Sequence, residues 1–350
     1  MLRNIFLLIL FFCTTITNAS QMKAALLYVG PHDIASGEPS EVTNPNLYSF
    51  WSSSDINKLN TVNTFIISPI GNRHGYKYSS YQWGVNNPWL DNSSTYYNYS
   101  RYLLDVRQTI AAIYNSNNSN ASIYISLPRY RDYWSGEGKT RYYTLEKARA
   151  FLTDLKLNVT AASNSNYWNT NIKGLYMIEE TYDGCAVANQ PDYCSGGTTF
   201  DDDFNYFKNI RKVINSEVQK ELIWAPQYNI ESTTWPKLSE LLKWQNNNSI
   251  IFDYILMQPG YNPNGCLSCF TDIKNRLSSQ AVSGVSSGQA KLGVVMEILP
   301  NLDRYNEYVC NLNSYYFNNN DFTFYFDARK KLETVVDDIN SFYSGAAVCN

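Results

Sequence analysis

Eight short apolar runs recur along the chain, most followed by a helix-length amphipathic stretch. This alternation constrains the fold more than any other feature. The runs span 24–30, 64–70, 122–128, 174–179, 221–226, 253–258, 291–298 and 322–326. Most are continuous rather than alternating, which suits parallel strands covered on both faces. Between them, 102–114 carries Leu103, Leu104, Val106, Ile110 and Ile113 at helical spacing, and 145–157, 204–218, 236–244, 271–277 and 329–343 behave alike. Eight β runs alternating with helices predict an α/β fold, a (β/α)8 TIM barrel, as a single domain over 20–350. A doubly wound open sheet competes. No G-x-G-x-x-G follows the first run, which weakens a nucleotide-binding version of it.

Residues 1–19 are expected to be a secretory signal peptide: Arg3, an apolar stretch from Ile5 to Cys13, then small residues before a cleavage point near Ala19 or Ser20. That stretch is too short to span a bilayer. The mature chain is therefore expected to be secreted, extracellular and free of the membrane. Loss of Cys13 leaves Cys185, Cys194, Cys266, Cys269, Cys310 and Cys349. An even number in an oxidising compartment reads as disulfides. The preferred pairs are Cys185–Cys194, Cys266–Cys269 and Cys310–Cys349, though the spacing leaves other pairings open. Sequons at Asn92, Asn98, Asn117, Asn120, Asn158 and Asn247 mark a glycoprotein if the host glycosylates.

Composition removes several functions. The formal charge of −3 lacks the basic footprint of a nucleic-acid binder. Two His make a His-based metal site or proton relay a poor expectation, and no metal or cofactor is expected. No H-E-x-x-H occurs. The chain is instead rich in aromatics, with 29 Tyr and 8 Trp. Long aromatic loops follow the second run (Tyr76, Tyr78, Tyr81, Trp83, Trp89, Tyr96, Tyr97) and the third (130–143). In a barrel, such loops lie at the end that carries the active site. Aromatic rings take the C–H face of a sugar, while Tyr, Asn and Gln bond its hydroxyls.

Polar residues past the strand ends should meet at that mouth. The fourth run leads to Glu179, Glu180, Tyr182 and Asp183; the fifth to Gln227, Tyr228 and Asn229. The sixth leads to Gln258, Tyr261 and Asn262, the seventh to Glu297 and the eighth to Asp327. Two carboxylates across a mouth can cut a glycosidic bond, one protonating the leaving oxygen and the other attacking carbon or activating water. Glu180 and Glu297 are the expected pair, with Tyr228, Gln258, Tyr261, Asn262, Trp83, Tyr182 and Asp327 binding substrate. Asp253 opens the sixth run, away from the mouth, and is expected to be structural. Trp244 and Tyr254 are expected in the core.

Three segments, GLYMIEE (174–180), ELIWAPQYN with FDYILMQPGYN (221–229 and 252–262) and KLGVVMEI (291–298), together resemble the domain of unknown function 4855 family. The resemblance implies a glycoside-hydrolase-like barrel, with the family's strand-four Glu on Glu180 and its strand-seven Glu on Glu297. The expectation is thus a monomeric, endo-acting glycoside hydrolase acting on a polysaccharide or oligosaccharide, with low overall charge favouring a neutral sugar. A non-catalytic, lectin-like barrel and a coat glycoprotein are the rival readings.

Overall fold

The computed structural model describes residues 21–31, 48–49, 51–69, 99–127, 131–134, 139–142, 145–177, 200–228, 241, 250–259, 273, 275, 290–297, 321–325 and 332–346. Its strands are β1 (Lys23–Pro31), β2 (Tyr48–Ser49), β3 (Thr64–Pro69), β4 (Ser122–Ser126), β5 (Arg131–Trp134) and β6 (Lys139–Tyr142). They continue with β7 (Ile172–Met177), β8 (Glu221–Trp224), β9 (Gln227–Tyr228), β10 (Tyr254–Pro259), β11 (Lys291–Glu297) and β12 (Asp321–Tyr325). The helices are α1 (Ser53–Lys58), α2 (Tyr99–Tyr114), α3 (Leu145–Ala162), α4 (Tyr167–Thr170), α5 (Phe200–Glu217) and α6 (Leu332–Ser344). All eight expected runs are strands.

Those eight strands pair in parallel in the order β1, β3, β4, β7, β8, β10, β11, β12, and β12 pairs back onto β1. The register shows how the ring joins. Glu297 pairs with Tyr325, Tyr325 with Leu26, Leu26 with Ile66, Ile66 with Tyr124, Tyr124 with Gly174 and Gly174 with Glu221. Glu221 stands two residues before Ile223, which pairs with Tyr254, and Tyr254 pairs with Lys291. The path therefore returns to position 289, eight residues before 297 where it began. A stagger of about eight is what an eight-stranded parallel barrel needs in order to close.

Alternation divides the strand residues between two apolar clusters. Ala24, Leu26, Ile66, Tyr124, Tyr176, Ile223, Ala225, Leu256 and Val295 form one that contains no helix residue, the inner face. Their neighbours, such as Leu27, Phe65, Ile125, Leu175 and Trp224, pack with α2, α3, α5 and α6 in the other. Burial on both faces explains why the runs read as continuously apolar. On α2 the buried stripe is Tyr102, Leu103, Val106, Ile110 and Ile113, while Leu104 is exposed on the opposite side. Trp224 stacks on Phe252 at 5.2 Å, and Phe207 of α5 closes the trio at 5.2 and 5.5 Å.

Polar contacts fasten the ring. Asp253 accepts from Arg211 Nη1 at 2.7 Å and from the Leu222 amide at 2.8 Å, joining α5 to the start of β8. That is the structural role expected of it. Tyr343 of α6 donates to the Ala24 carbonyl at 2.6 Å, and Lys23 Nζ donates to the Tyr343 carbonyl at 2.8 Å, so the last helix clasps the first strand. Tyr254 is half-buried on the inner face. Trp244 lies outside the described residues.

Several features differ from expectation. The fifth run is broken: β8 ends at Trp224, and pairing with β10 resumes at β9. Pro226 lies in the gap with no N–H to give a ladder, and its carbonyl accepts from the Gln258 amide at 3.0 Å. The second aromatic loop contains an antiparallel ribbon, β5–β6. The short helices α1 and α4 were not expected. At α1 a capping box holds the first turn, with the Ser52 side chain on the Asp55 amide and the Asp55 carboxylate on the Ser52 amide.

Candidate functional site

Because the ring is parallel, all eight C-terminal strand ends lie along one edge, the mouth. The inner face shows what the sheet delivers there. Ser68, Ser126 and Gln258 each stand two residues beyond an inner apolar residue, namely Ile66, Tyr124 and Leu256. They are buried, with relative exposures of 1%, 0% and 7%. Tyr28, packed against the inner cluster, pairs with Ser68, and buried Tyr176 pairs with Ser126. A layer of hydroxyl and amide groups thus replaces aliphatic side chains just below the mouth.

Glu297 is the last residue of β11 and stands two beyond inner Val295, at the register position of Tyr325. Gln258 pairs with Gln227, and Tyr228 of β9 pairs with Pro259, so these two expected binding positions meet at the same edge. The backbone brings Tyr228, Gln258 and Glu297 to one end of the sheet. Glu180, Tyr182, Trp83, Tyr261, Asn262 and Asp327 lie outside the described residues, as do Cys185, Cys194, Cys266, Cys269, Cys310 and Cys349. Residues 1–19, expected as a signal peptide, and the aromatic stretch after β3 lie outside them too. β7 is described to Met177, three residues before Glu180.

Sequence reasoning missed Tyr28, Ser68, Ser126 and Tyr176. Single serines inside apolar runs carry little signal until the strand's inward parity is known. That parity follows from their two-residue spacing from inner apolar positions.

The other end of the ring carries a different polar group. Tyr124 Oη donates to the Glu221 carboxylate, Tyr254 packs edge-on against the Tyr124 ring at 6.2 Å, and Lys291 Nζ reaches Tyr254 Oη at 3.3 Å. Burial, and then the Glu221 charge, push the Tyr124 phenol far above its ordinary range, so it stays protonated. Glu221, Tyr254 and Lys291 open their strands, so this cluster forms the floor and lies away from the mouth. Behind the mouth, Tyr102 of α2 reaches the Ile67 and Ser126 carbonyls at 3.3 and 3.2 Å, bracing the ends of β3 and β4 from outside. Its phenol is likewise raised, first by burial.

Among the described residues no group of three or more His, Cys, Asp or Glu could hold a metal ion. No helix among them is long and apolar enough to cross a membrane.

Neither a family model nor a curated protein matches the sequence. Solved structures do. The chain is similar to a GH26 β-mannanase from Bacteroides ovatus, with TM-score 0.48 and 9% identity over 92% of this chain and 88% of that one. It is similar to a xylanase and α-amylase inhibitor protein from Scadoxus multiflorus, with TM-score 0.45 and 13% identity over 94% and 100%. A third is a GH18 chitinase from Pseudoalteromonas aurantia, with TM-score 0.43 and 11% identity over 85% and 98%.

Proposed function

We propose that the chain is a secreted glycoside hydrolase built on a complete (β/α)8 barrel over 20–350, after removal of a signal peptide at 1–19. The observation that carries the reading is Glu297 at the mouth end of β11, at the same edge as Gln258 and Tyr228, above an inner layer of Ser and Gln. β7, the strand that leads to Glu180, stands three places from β11 in the ring of eight. If β7 keeps its alternation, Glu180 shares the face of Tyr176. Glu180 then protonates the leaving glycosidic oxygen, and Glu297 attacks the anomeric carbon or activates water. Carboxyl groups about 5–5.5 Å apart retain configuration, and a gap of about 6.5–9.5 Å inverts it. Tyr228, Gln258, Tyr261, Asn262, Trp83, Tyr182 and Asp327 form the substrate-binding set. Endo cleavage, a monomeric state, disulfides and kinship with the domain of unknown function 4855 family belong to the same proposal.

The test is cleavage of a glycan panel by the full chain, secreted from a eukaryotic host, beside Glu180→Gln and Glu297→Gln. Each variant is expected to lose about 100-fold or more in turnover. Full activity in either overturns the assignment. Glycan binding without cleavage by the unmutated chain moves the reading to a carbohydrate-binding barrel.

A further inference from the structure

Two departures from regular backbone meet at the floor end of β7 and β8. Ile123 pairs with Ile172, but the next residue, Tyr124, pairs with Gly174, so Lys173 is an extra residue in β7. A bulge of this kind re-aims a side chain, and Lys173 is exposed in a strand that is otherwise buried. The second departure is Gln219, whose φ of 52° lies in the left-handed region that a non-glycine residue enters at a cost. Gln219 follows the end of α5, where its amide and that of Val218 reach the Ile214 carbonyl at 2.8 and 3.0 Å. Lys220 comes next. Gly174 pairs with Glu221, so the residues before them, Lys173 and Lys220, stand side by side.

Parity sends both lysines to the helix side of the ring. Lys173 and Lys220 stand two residues before Leu175 and Leu222 of the outer cluster, while Glu221 turns inward to Tyr124. Lys220 is half-buried; its Nζ donates to the Trp168 carbonyl at 2.8 Å and lies 5.3 Å from the centre of the Trp168 ring. Exposed Lys156 is the third cation. It stands two turns of α3 beyond Arg149, on the side where Arg149 bridges to Glu217 of α5 at 3.2 Å. Burial, and then the charges of Lys173 and Lys156, push the Lys220 ammonium below its usual range. None of the three lies within ion-pair distance of a described carboxylate. Carboxylates of the same region are engaged elsewhere: Glu217 by Arg149, Asp253 by Arg211 and Glu221 by Tyr124.

Three ammonium groups held together repel one another, and an anion among them removes that cost. Their chemistry selects the anion. A planar carboxylate is matched by the fork of a guanidinium, and the neighbouring guanidinium groups of Arg149 and Arg211 already hold carboxylates. Ammonium groups act as point charges, and three of them approaching from α3, β7 and the start of β8 suit a compact, multiply charged group. We propose that Lys156, Lys173 and Lys220 bind a tetrahedral oxyanion, a phosphate or sulfate group, on the outer side of the floor end. This site lies at the end of the ring away from the mouth and does not depend on the glycoside-hydrolase reading.

The experiment titrates the full chain with sodium phosphate, sodium sulfate and chondroitin sulfate in a calorimeter at matched ionic strength. Hyaluronate, which carries carboxylates and no sulfate, is the control ligand. Lys156→Gln/Lys173→Gln removes the two exposed cations and leaves Lys220 its bond to Trp168. Lys173→Glu is a second variant, which sets a carboxylate beside Lys220. Arg107→Gln/Lys212→Gln removes the same charge from exposed positions on α2 and α5. A urea midpoint at or above that of the unmutated chain identifies a variant as folded. Phosphate, sulfate or the sulfated glycan is expected to bind, with affinity at least about tenfold weaker in both lysine variants and unchanged in the control. Binding of the free ions identifies a small oxyanion as the ligand; binding of chondroitin sulfate alone identifies a sulfate ester on a polymer. No binding of any of the three overturns the proposal. So does hyaluronate bound as tightly as chondroitin sulfate, equal weakening in the control, or a folded Lys173→Glu chain that keeps its affinity. Cleavage of glycans by the unmutated chain is read separately and bears only on the mouth.

Discussion

Adding one methyl group at Gly174 tests the inner packing of the ring directly. A Cβ there would lie 2.5 Å from Tyr124 Cε1 and 2.6 Å from both Tyr124 Cδ1 and the Glu221 carbonyl oxygen. Ordinary carbon contacts sit at about 3.5–4.0 Å, so roughly 1 Å of relief must be found. Neither neighbour yields cheaply. The Tyr124 ring is 2% exposed and tied by its hydroxyl to Glu221. The Glu221 oxygen is backbone in the strand that pairs with Gly174 itself. Overpacking of this kind costs about 1–3 kcal/mol. If the ring swings away, its bond to a charged acceptor goes too, a further loss of about 1.5–3 kcal/mol. Gly174→Ala is therefore expected to destabilise by about 2–5 kcal/mol, read as a lower urea midpoint at unchanged m. Tyr124→Phe alone should lose only the hydrogen bond, and the double variant should fall short of the sum, because both act through one ring. A Gly174→Ala protein within about 0.5 kcal/mol of the unmutated chain would refute the register placing Gly174 under Tyr124.

Two further substitutions probe the ring and its lower edge. Only two register pairs join β8 to β10, and the Asp253 carboxylate bridges that joint, so Asp253→Ala strands the Leu222 amide and leaves the Arg211 guanidinium to the Lys220 carbonyl. A loss of about 2–4 kcal/mol is expected, with faster hydrogen exchange at the Leu222 amide; unchanged exchange there would count against the bridging role. At Tyr167, burial and then the neighbouring Tyr114 push the phenol up to about 12. The folded state holds that proton more tightly, so its contribution is whole below the unfolded value of about 10 and is lost as pH rises through about 12. Tyr167→Phe should cost about 0.5–1.5 kcal/mol at neutral pH, through the lost bond to the Ser119 carbonyl, and show a shallower stability loss between pH 10 and 12. Identical alkaline slopes for the two proteins would exclude the phenol as the titrating group.

The ring strands could be read from sequence because each is buried on two sides and so is apolar at successive positions, as in the stretch from Ala24 to Leu27. The same cause hid the inner layer: with both faces apolar, nothing in the sequence says which parity points inward, and Ser68 and Ser126 look like interruptions. The β5–β6 ribbon was hidden for the opposite reason. RDYW and KTRY have no apolar face, and their aromatics read as loop. α1 is six residues long, too short for a periodic stripe, and its signal is the Ser52–Asp55 cap. At the site, strand ends sufficed to bring Tyr228, Gln258 and Glu297 to one edge. Trp83, Glu180, Tyr182, Tyr261, Asn262 and Asp327 lie past the described strand ends, where the order of strands no longer fixes position.

The tyrosines, expected in the loops, at strand ends and, for Tyr254, in the core, also have a place inside the ring. Barrel interiors are ordinarily filled by Val, Ile and Leu. Here Tyr28, Tyr124, Tyr176 and Tyr254 stand among the inner residues. At native packing density a phenol in such a layer requires a small neighbour. The register supplies one for three of the four: Tyr28 lies opposite Ser68, Tyr124 opposite Gly174 and Tyr176 opposite Ser126. Each phenol also needs a polar partner. At the floor Tyr124 has Glu221, and Tyr254 has Lys291. The inner serines are thus the space that the tyrosines require as well as the polar lining of the mouth. Enlarging Ser68 or Ser126 to Val should therefore press on Tyr28 or Tyr176 as Gly174→Ala presses on Tyr124, and couple mouth chemistry to ring stability.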